Sequence, residues 1–165
     1  MAVVELLLPA LPSHVRTARL VVVAAGRRAG LVDGLVDELR LAVGEACARA
    51  VQLHAQHAPD QRVRVLVTDD VLGLTVAVTD VGPTAGPTQD AEQLFEGDAG
   101  AALEAADPDA TDPDMALALL TGLVDEVEVG PGGTGPGVTG TTVTMRWPLP
   151  ARIPGGPSPS QEAPS

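Results

Sequence analysis

The segment from about Leu31 to about Gln56 constrains the fold of this chain more than any other. Its apolar residues recur at i, i+3, i+4 and i+7, the spacing that lines up side chains on one face of an α-helix. They are Leu35, Leu39, Ala42, Val43, Ala46, Ala50 and Leu53. We therefore predict a long helix that buries this face.

Five segments have the sequence pattern of β-strands. They are residues 3–8, 62–68, 72–79, 124–129 and 141–147. The second and third alternate in polarity on either side of Asp69-Asp70, which predicts a turn and an antiparallel hairpin. The last two flank the glycine-rich residues 130–140 and predict a second strand pair.

Two further helices are indicated by their ends. Ser13 is a candidate N-cap for a helix over residues 14–29, which Gly30 would stop. Residues 112–114 (Asp-Pro-Asp) supply an N-cap, a proline at the first helical position and an acid for a helix that ends near Leu123. The order β-α-α-β-β-loop-α-β-β predicts an α+β fold. We expect a two-layer sandwich, with a mostly antiparallel sheet and the helices on one face.

At 165 residues the chain is long enough for one domain with a substantial core. We assign residues 1–148 to this domain and residues 149–165, rich in Pro, Ser and Gly, to a disordered tail. No apolar run approaches the roughly 20 residues of a membrane span, and no signal peptide is evident. The single cysteine, Cys47, suits a reducing compartment. These features lead us to expect a cytoplasmic protein that does not contact membranes.

The charge of the chain is strongly acidic and unevenly distributed. Its formal net charge is −12, and the stretch between Arg64 and Arg146 holds fifteen carboxylates and no Lys, Arg or His. Nucleic-acid binding requires clustered Lys and Arg, so we expect no direct nucleic-acid ligand. A surface of one sign attracts partners of the other, which favours a basic protein partner. Residues 82–111, a long Gly-, Pro-, Ala- and acid-rich connection, are either a functional acidic lid or a solvated loop.

Four sequence blocks occur in the order and spacing of a known family. They are Leu39 to Val51 (LRLAVGEACARAV), Val78 to Gly82 (VTDVG), Met115 to Val129 (MALALLTGLVDEVEV) and Gly140 to Val143 (GTTV). Over roughly residues 1–148 the chain resembles the GHKL (Bergerat) ATPase fold and, more closely, the bacterial anti-sigma-factor serine kinases of stress-response and sporulation switches. The resemblance implies ATP and Mg²⁺ as cofactors. The changes described next mark the chain as a degenerate member.

The first block concerns catalysis and metal binding. By the resemblance Glu45 is the general base, and Arg49 stands where the family has an asparagine that helps to hold Mg²⁺. A guanidinium offers no lone pair and cannot ligate a cation that demands oxygen, so we assign no metal ligand. Arg49 then either forms a helix-surface ion pair with Glu45, worth about 0.3–0.5 kcal/mol, or contacts phosphate directly.

The other blocks concern nucleotide binding. By the resemblance Asp80 accepts the adenine amino group and Gly82 lets the backbone approach the base, although an ordinary turn residue is the other interpretation of Asp80. The next glycine box, which holds phosphates in the family, aligns with residues 114–117, contains Met115 and has lost both glycines. An ordinary capped helix is the simpler interpretation there. The block with Thr141 is intact. We infer that triphosphate binding is weak or absent.

Three remaining residues have simple interpretations. His54 and His57 are three residues apart on the helix, but no Cys or carboxylate nearby completes a metal set. We expect two solvated histidines. Cys47 lies on the apolar side of the long helix, where a small core residue is expected rather than a nucleophile.

Three functions compete. We favour an anti-sigma-factor-like regulator of a bacterial partner-switching system, with a degraded ATP site and weak or no kinase activity. It would bind a sigma factor, an anti-anti-sigma protein or both, and family relatives suggest a homodimer. The alternative is an active ATP-dependent serine/threonine kinase that phosphorylates an anti-anti-sigma partner, with Glu45 as base and Asp80 holding adenine. The third is an acidic scaffold that keeps only the fold.

Overall fold

The computed structural model describes residues 1–82, 113–132 and 139–149. The strands are β1 (Ala2–Pro9), β2 (Arg62–Asp69), β3 (Leu74–Thr79), β4 (Glu126–Pro131) and β5 (Thr141–Trp147). The helices are α1 (Pro12–Ala29), α2 (Asp33–His57) and α3 (Pro113–Leu123). The predicted element order is confirmed. Nearly all of the acidic connection and of the tail lies outside the described residues, as does the predicted cap at position 112.

The five strands form one sheet in the order β1-β2-β3-β5-β4, and every neighbouring pair is antiparallel. The predicted hairpin is the β2–β3 pair. β3 and β5 are neighbours although α3 and β4 separate them in the chain, and Thr79 lies opposite Thr142. Because antiparallel neighbours run in opposite directions, this pairing brings the residues after β3 beside those before β5.

The helices cover one face of the sheet, which confirms the α+β two-layer arrangement. α2 packs against α1, α3, β2 and β3, and its predicted apolar face is buried, with Leu35 partly so. The strands alternate as a half-buried sheet should: Val63, Val65 and Val67 of β2 are buried while their neighbours face outward. In the ranges described, no helix combines the length and apolar character needed to cross a membrane.

The N-terminal end of α1 differs from the prediction. The helix begins at Pro12 with Leu11 as its N-cap, and no side chain caps it, so the assignment of Ser13 as N-cap is wrong. Proline is well suited to the first helical turn because it has no N–H to leave unpaired. Gly30 ends the helix as predicted, in the left-handed conformation at φ 99°.

The β2–β3 turn is longer than predicted, so β3 begins at Leu74 rather than at position 72. The Asp70 carboxylate accepts the backbone N–H groups of Leu72 (2.8 Å) and Gly73 (3.2 Å), which holds both residues in the turn. β4 starts two residues later than predicted because the Val124 N–H still donates to Leu120 O at the end of α3.

Candidate functional site

The side chain of Asp80, the residue that follows β3, is anchored by backbone groups from two segments. Its Oδ1 accepts the N–H of Gly82 at 3.0 Å and the N–H of Thr141 at 3.3 Å. The Asp80 N–H in turn donates to Thr141 O at 2.9 Å. Asp80 is only 1% exposed. It does follow a strand, as a turn residue would, but it is a buried carboxylate fixed at the junction of β3 and β5.

Arg49 of α2 reaches this carboxylate. Its Nη1 donates to Oδ2 of Asp80 at 2.7 Å, and the two side chains are 3% and 1% exposed. The predicted surface ion pair between Arg49 and Glu45 is therefore wrong. Position 49 falls beside the apolar face of α2, next to Ala46 and Ala50, so the arginine points into the protein, where only a counter-charge makes its burial tolerable.

The pairing leaves part of the guanidinium without a partner. Nε of Arg49 is buried and makes no hydrogen bond to any residue in the described part of the chain. An unpaired buried N–H costs free energy, of the order of 1–3 kcal/mol. Asp80 thus satisfies one donor of Arg49 and leaves another unsatisfied.

Two glycines let the backbone close around Asp80. A Cβ at Gly140, which has φ +123°, would lie 2.1 Å from Asp80 O. A Cβ at Gly82 would lie 3.0 Å from Leu53 Cβ and 3.3 Å from Asp80 Oδ1. No larger residue fits at Gly140 without displacing the backbone, so these glycines serve close packing of the chain around the carboxylate.

His54 also holds this loop, and the expectation of two solvated histidines is wrong for it. The ring is fully buried: Nε2 accepts the Val81 N–H at 3.0 Å, and Nδ1 lies 3.0 Å from Gln61 O. Because Nε2 accepts a hydrogen bond, Nδ1 carries the ring proton and donates it to the Gln61 carbonyl. His57 is exposed, as expected.

A sequence signal for His54 existed and was missed. The residues Val43, Cys47, Ala50 and His54 follow one another at intervals of four, three and four, which continues the apolar stripe of α2. A polar residue in such a stripe requires a buried partner.

The structure brings together four of the six predicted site residues. Gly82, Arg49 and Thr141 each hydrogen-bond to Asp80. Glu45 lies one turn before Arg49 on α2 and is half-buried, while Met115 on α3 is 60% exposed. Neither of the last two makes a hydrogen bond to this cluster within the described ranges. The carboxylates at positions 112 and 114 lie outside what the structure describes.

Cys47 is a buried residue of α2, as predicted. Burial raises the pKa of its thiol to about 12, against a smaller opposing effect of the Arg19 charge. The thiol is therefore a poor nucleophile at neutral pH. Among the described residues, no three His, Cys, Asp or Glu side chains are grouped so that they could hold a metal ion.

Comparison with known proteins links this arrangement to one family. The family described as "Histidine kinase-like ATPase domain" matches residues 8–147, a range that contains every candidate residue discussed above. The serine-protein kinase RsbW of Bacillus pumilus (strain SAFR-032) is 34% identical over 143 residues, with 76% of each chain covered. The proteins of the same name from Bacillus velezensis and Bacillus subtilis (strain 168) are 31% and 29% identical over 140 residues, also with 76% of each chain covered.

Proposed function

This chain belongs to the histidine kinase-like ATPase domain family and is homologous to the RsbW serine-protein kinases, and on that premise we propose that it is an anti-sigma-factor-like regulator of a bacterial partner-switching system. Its ATP site is degraded, and its kinase activity is weak or absent. Its partners are a sigma factor, an anti-anti-sigma protein or both. Such a regulator acts in the cytoplasm, through a domain of residues 1–148.

The observation that carries this proposal is the position of Arg49. The family fold implies a nucleotide site, in which Asp80 would accept the adenine amino group beside Gly82 and Thr141. The residue four positions after Glu45 would then face Mg²⁺ and the phosphates. Here that residue is Arg49, whose Nη1 donates to Oδ2 of Asp80 at 2.7 Å. Its guanidinium has no lone pair with which to bind a metal. Glu45 remains as a candidate base, but position 49 supplies no oxygen ligand for a metal beside it.

The charge distribution supports a protein partner. The stretch from Arg64 to Arg146 contains no cationic side chain between its ends. In its described part, Asp125, Glu126 and Glu128 are exposed. Sigma factors are basic on their DNA-facing surfaces, so charge complementarity favours their association with this region. A homodimer is compatible with this proposal.

Phosphate transfer separates the proposal from its alternative, an active serine/threonine kinase, which the similarity to serine-protein kinases favours. The purified protein is incubated with radiolabelled Mg-ATP and the cognate anti-anti-sigma protein, with an RsbW relative and its own substrate as positive control. We expect little or no labelled product. Transfer at the rate of the control would establish the kinase instead.

Partner binding is tested separately, by titrating the protein with the cognate sigma factor and with the anti-anti-sigma protein in a calorimeter at low and high salt. We expect binding to at least one of them, weakening as salt screens the charges. If neither binds at low salt, the regulatory proposal fails and the scaffold is left.

A further inference from the structure

We propose that Arg49 is a built-in plug of the nucleobase end of the site: its guanidinium occupies the acceptor position on Asp80 that the amino group of an adenine would require. The inference rests on the proposed function for the assignment of Asp80 to the nucleobase. Beyond that function, Arg49 alone would block binding of the nucleobase, independently of any loss of metal or phosphate binding.

Three of the roughly four acceptor sites of the Asp80 carboxylate are taken, and burial beside Arg49 closes access to the remaining one on Oδ2. Oδ1 accepts two backbone N–H groups, from Gly82 and Thr141, and Oδ2 accepts Nη1 of Arg49. Asp80 and Thr141 are at most 1% exposed and Arg49 is 4% exposed. An adenine amino group could therefore reach Oδ2 only by moving the guanidinium away.

Two physical effects favour Arg49 over an adenine amino group as the donor to Oδ2 of Asp80. Both donors would form a charge-assisted bond to the carboxylate, but only the guanidinium carries a full positive charge, and its attraction to Asp80 is weakly screened because the two side chains are 3% and 1% exposed. The guanidinium is also covalently attached, whereas a free nucleoside loses translational and rotational freedom on binding. A displaced guanidinium would moreover need another partner in a buried environment where, among the described residues, its Nε already has none.

Asp80 cannot move aside to accept both donors. The Val81 N–H is held by buried His54 at 3.0 Å. Behind the loop, Gly140 approaches so closely that a Cβ there would be 2.1 Å from Asp80 O. The carboxylate is thus fixed by its own backbone on one side and by Arg49 on the other. Oδ2 of Asp80 can therefore be freed by replacing the side chain of Arg49.

Adenosine is the probe for this inference, because it carries the base without phosphate or metal. Titration of the wild-type protein is compared with that of R49N, which removes the plug and leaves Asp80 in place. We expect no measurable binding to the wild type and at least about tenfold tighter binding to R49N, the ratio expected for one competing hydrogen bond. R49N/D80A should lose the gain because it lacks the acceptor.

Arg40 supplies the matched control. It lies on the same helix, is exposed and pairs with Asp37 at 3.5 Å, so R40N removes an arginine and its ion pair without touching the plug. R40N should bind adenosine no better than the wild type. A folded R49N that also ignores adenosine overturns the inference, and so does micromolar binding of adenosine by the wild type.

A measurement on the wild type keeps the inference testable if R49N does not fold. The side-chain Nε–H signal of Arg49 in a nitrogen-15 NMR spectrum should stay in place when adenosine is added up to its solubility limit. A shift of that signal on adding adenosine would show that adenosine displaces the Arg49 guanidinium from Asp80, and it would overturn the inference. These outcomes are independent of sigma-factor binding: either the plug or the regulatory role can fail while the other stands.

Discussion

Replacing Asp80 by alanine should destabilise this protein far more than a surface substitution does. The change leaves the guanidinium of Arg49 buried without its counter-ion, after loss of a 2.7 Å contact between side chains that are 3% and 1% exposed. Removing one member of a buried ion pair costs about 3–5 kcal/mol. D80A also deprives the backbone N–H groups of Gly82 and Thr141 of their acceptor. We therefore expect the upper half of that range, about 4–5 kcal/mol.

Urea unfolding followed by tryptophan fluorescence measures this loss. Trp147 is the single tryptophan of the chain and is buried, with its Nε1 donating to Glu38 Oε1 at 2.7 Å. Its emission therefore reports exposure of the core. At roughly 2–4 °C per kcal/mol for a domain of this size, the melting temperature should fall by about 8–20 °C.

The matched control is E5A. Glu5 also sits on the sheet and pairs with an arginine, Arg64, but both side chains are 48% exposed. Solvent screening limits such a pair to about 1 kcal/mol or less. The double variant R49M/D80A should be more stable than D80A, because it removes the stranded charge. The reasoning is refuted if D80A loses no more stability than E5A, or if the double variant is no better than D80A.

Three other outcomes are expected. G140A should lose about 1–3 kcal/mol of unfolding free energy from its φ of +123° alone. As its control, G122A should gain up to about 1 kcal/mol, because Gly122 is exposed on α3 and no described residue lies within 4 Å of the added Cβ. H54L should lose about 2 kcal/mol of unfolding free energy, because two hydrogen bonds disappear and the Val81 N–H is left unpaired. H57L is its control and should stay within about 0.5 kcal/mol of the wild type. Equal losses in the two variants would contradict the burial of His54. Burial raises the pKa of the Cys47 thiol in the folded protein to about 12, from its ordinary value of 9.0. Stability should therefore fall as the pH rises from about 9 to about 12, where only the unfolded thiol ionises, and C47A should remove that part of the slope.

Local pattern was sufficient to predict most of the fold. The 3.6-residue period of α2, the alternation of β2 and β3, and the stop at Gly30 each depend on residues close in sequence. Boundaries failed where a non-local or competing contact decided them. At the start of α1, Pro12 took the first turn and left Ser13 inside the helix.

The sequence by itself determined the element order, the apolar face of α2 and the presence of an arginine four residues after Glu45. It did not determine where that arginine goes. Helical periodicity indicates which face is buried, but a buried polar group takes whichever partner the packing of other elements supplies. Only the placement of α2 across the β3–β5 junction joined Arg49 to Asp80, 31 residues away, and His54 to Val81, 27 residues away. The physical reason is that these pairs form between elements, and their energies depend on burial that exists only once the sheet and the helices have packed.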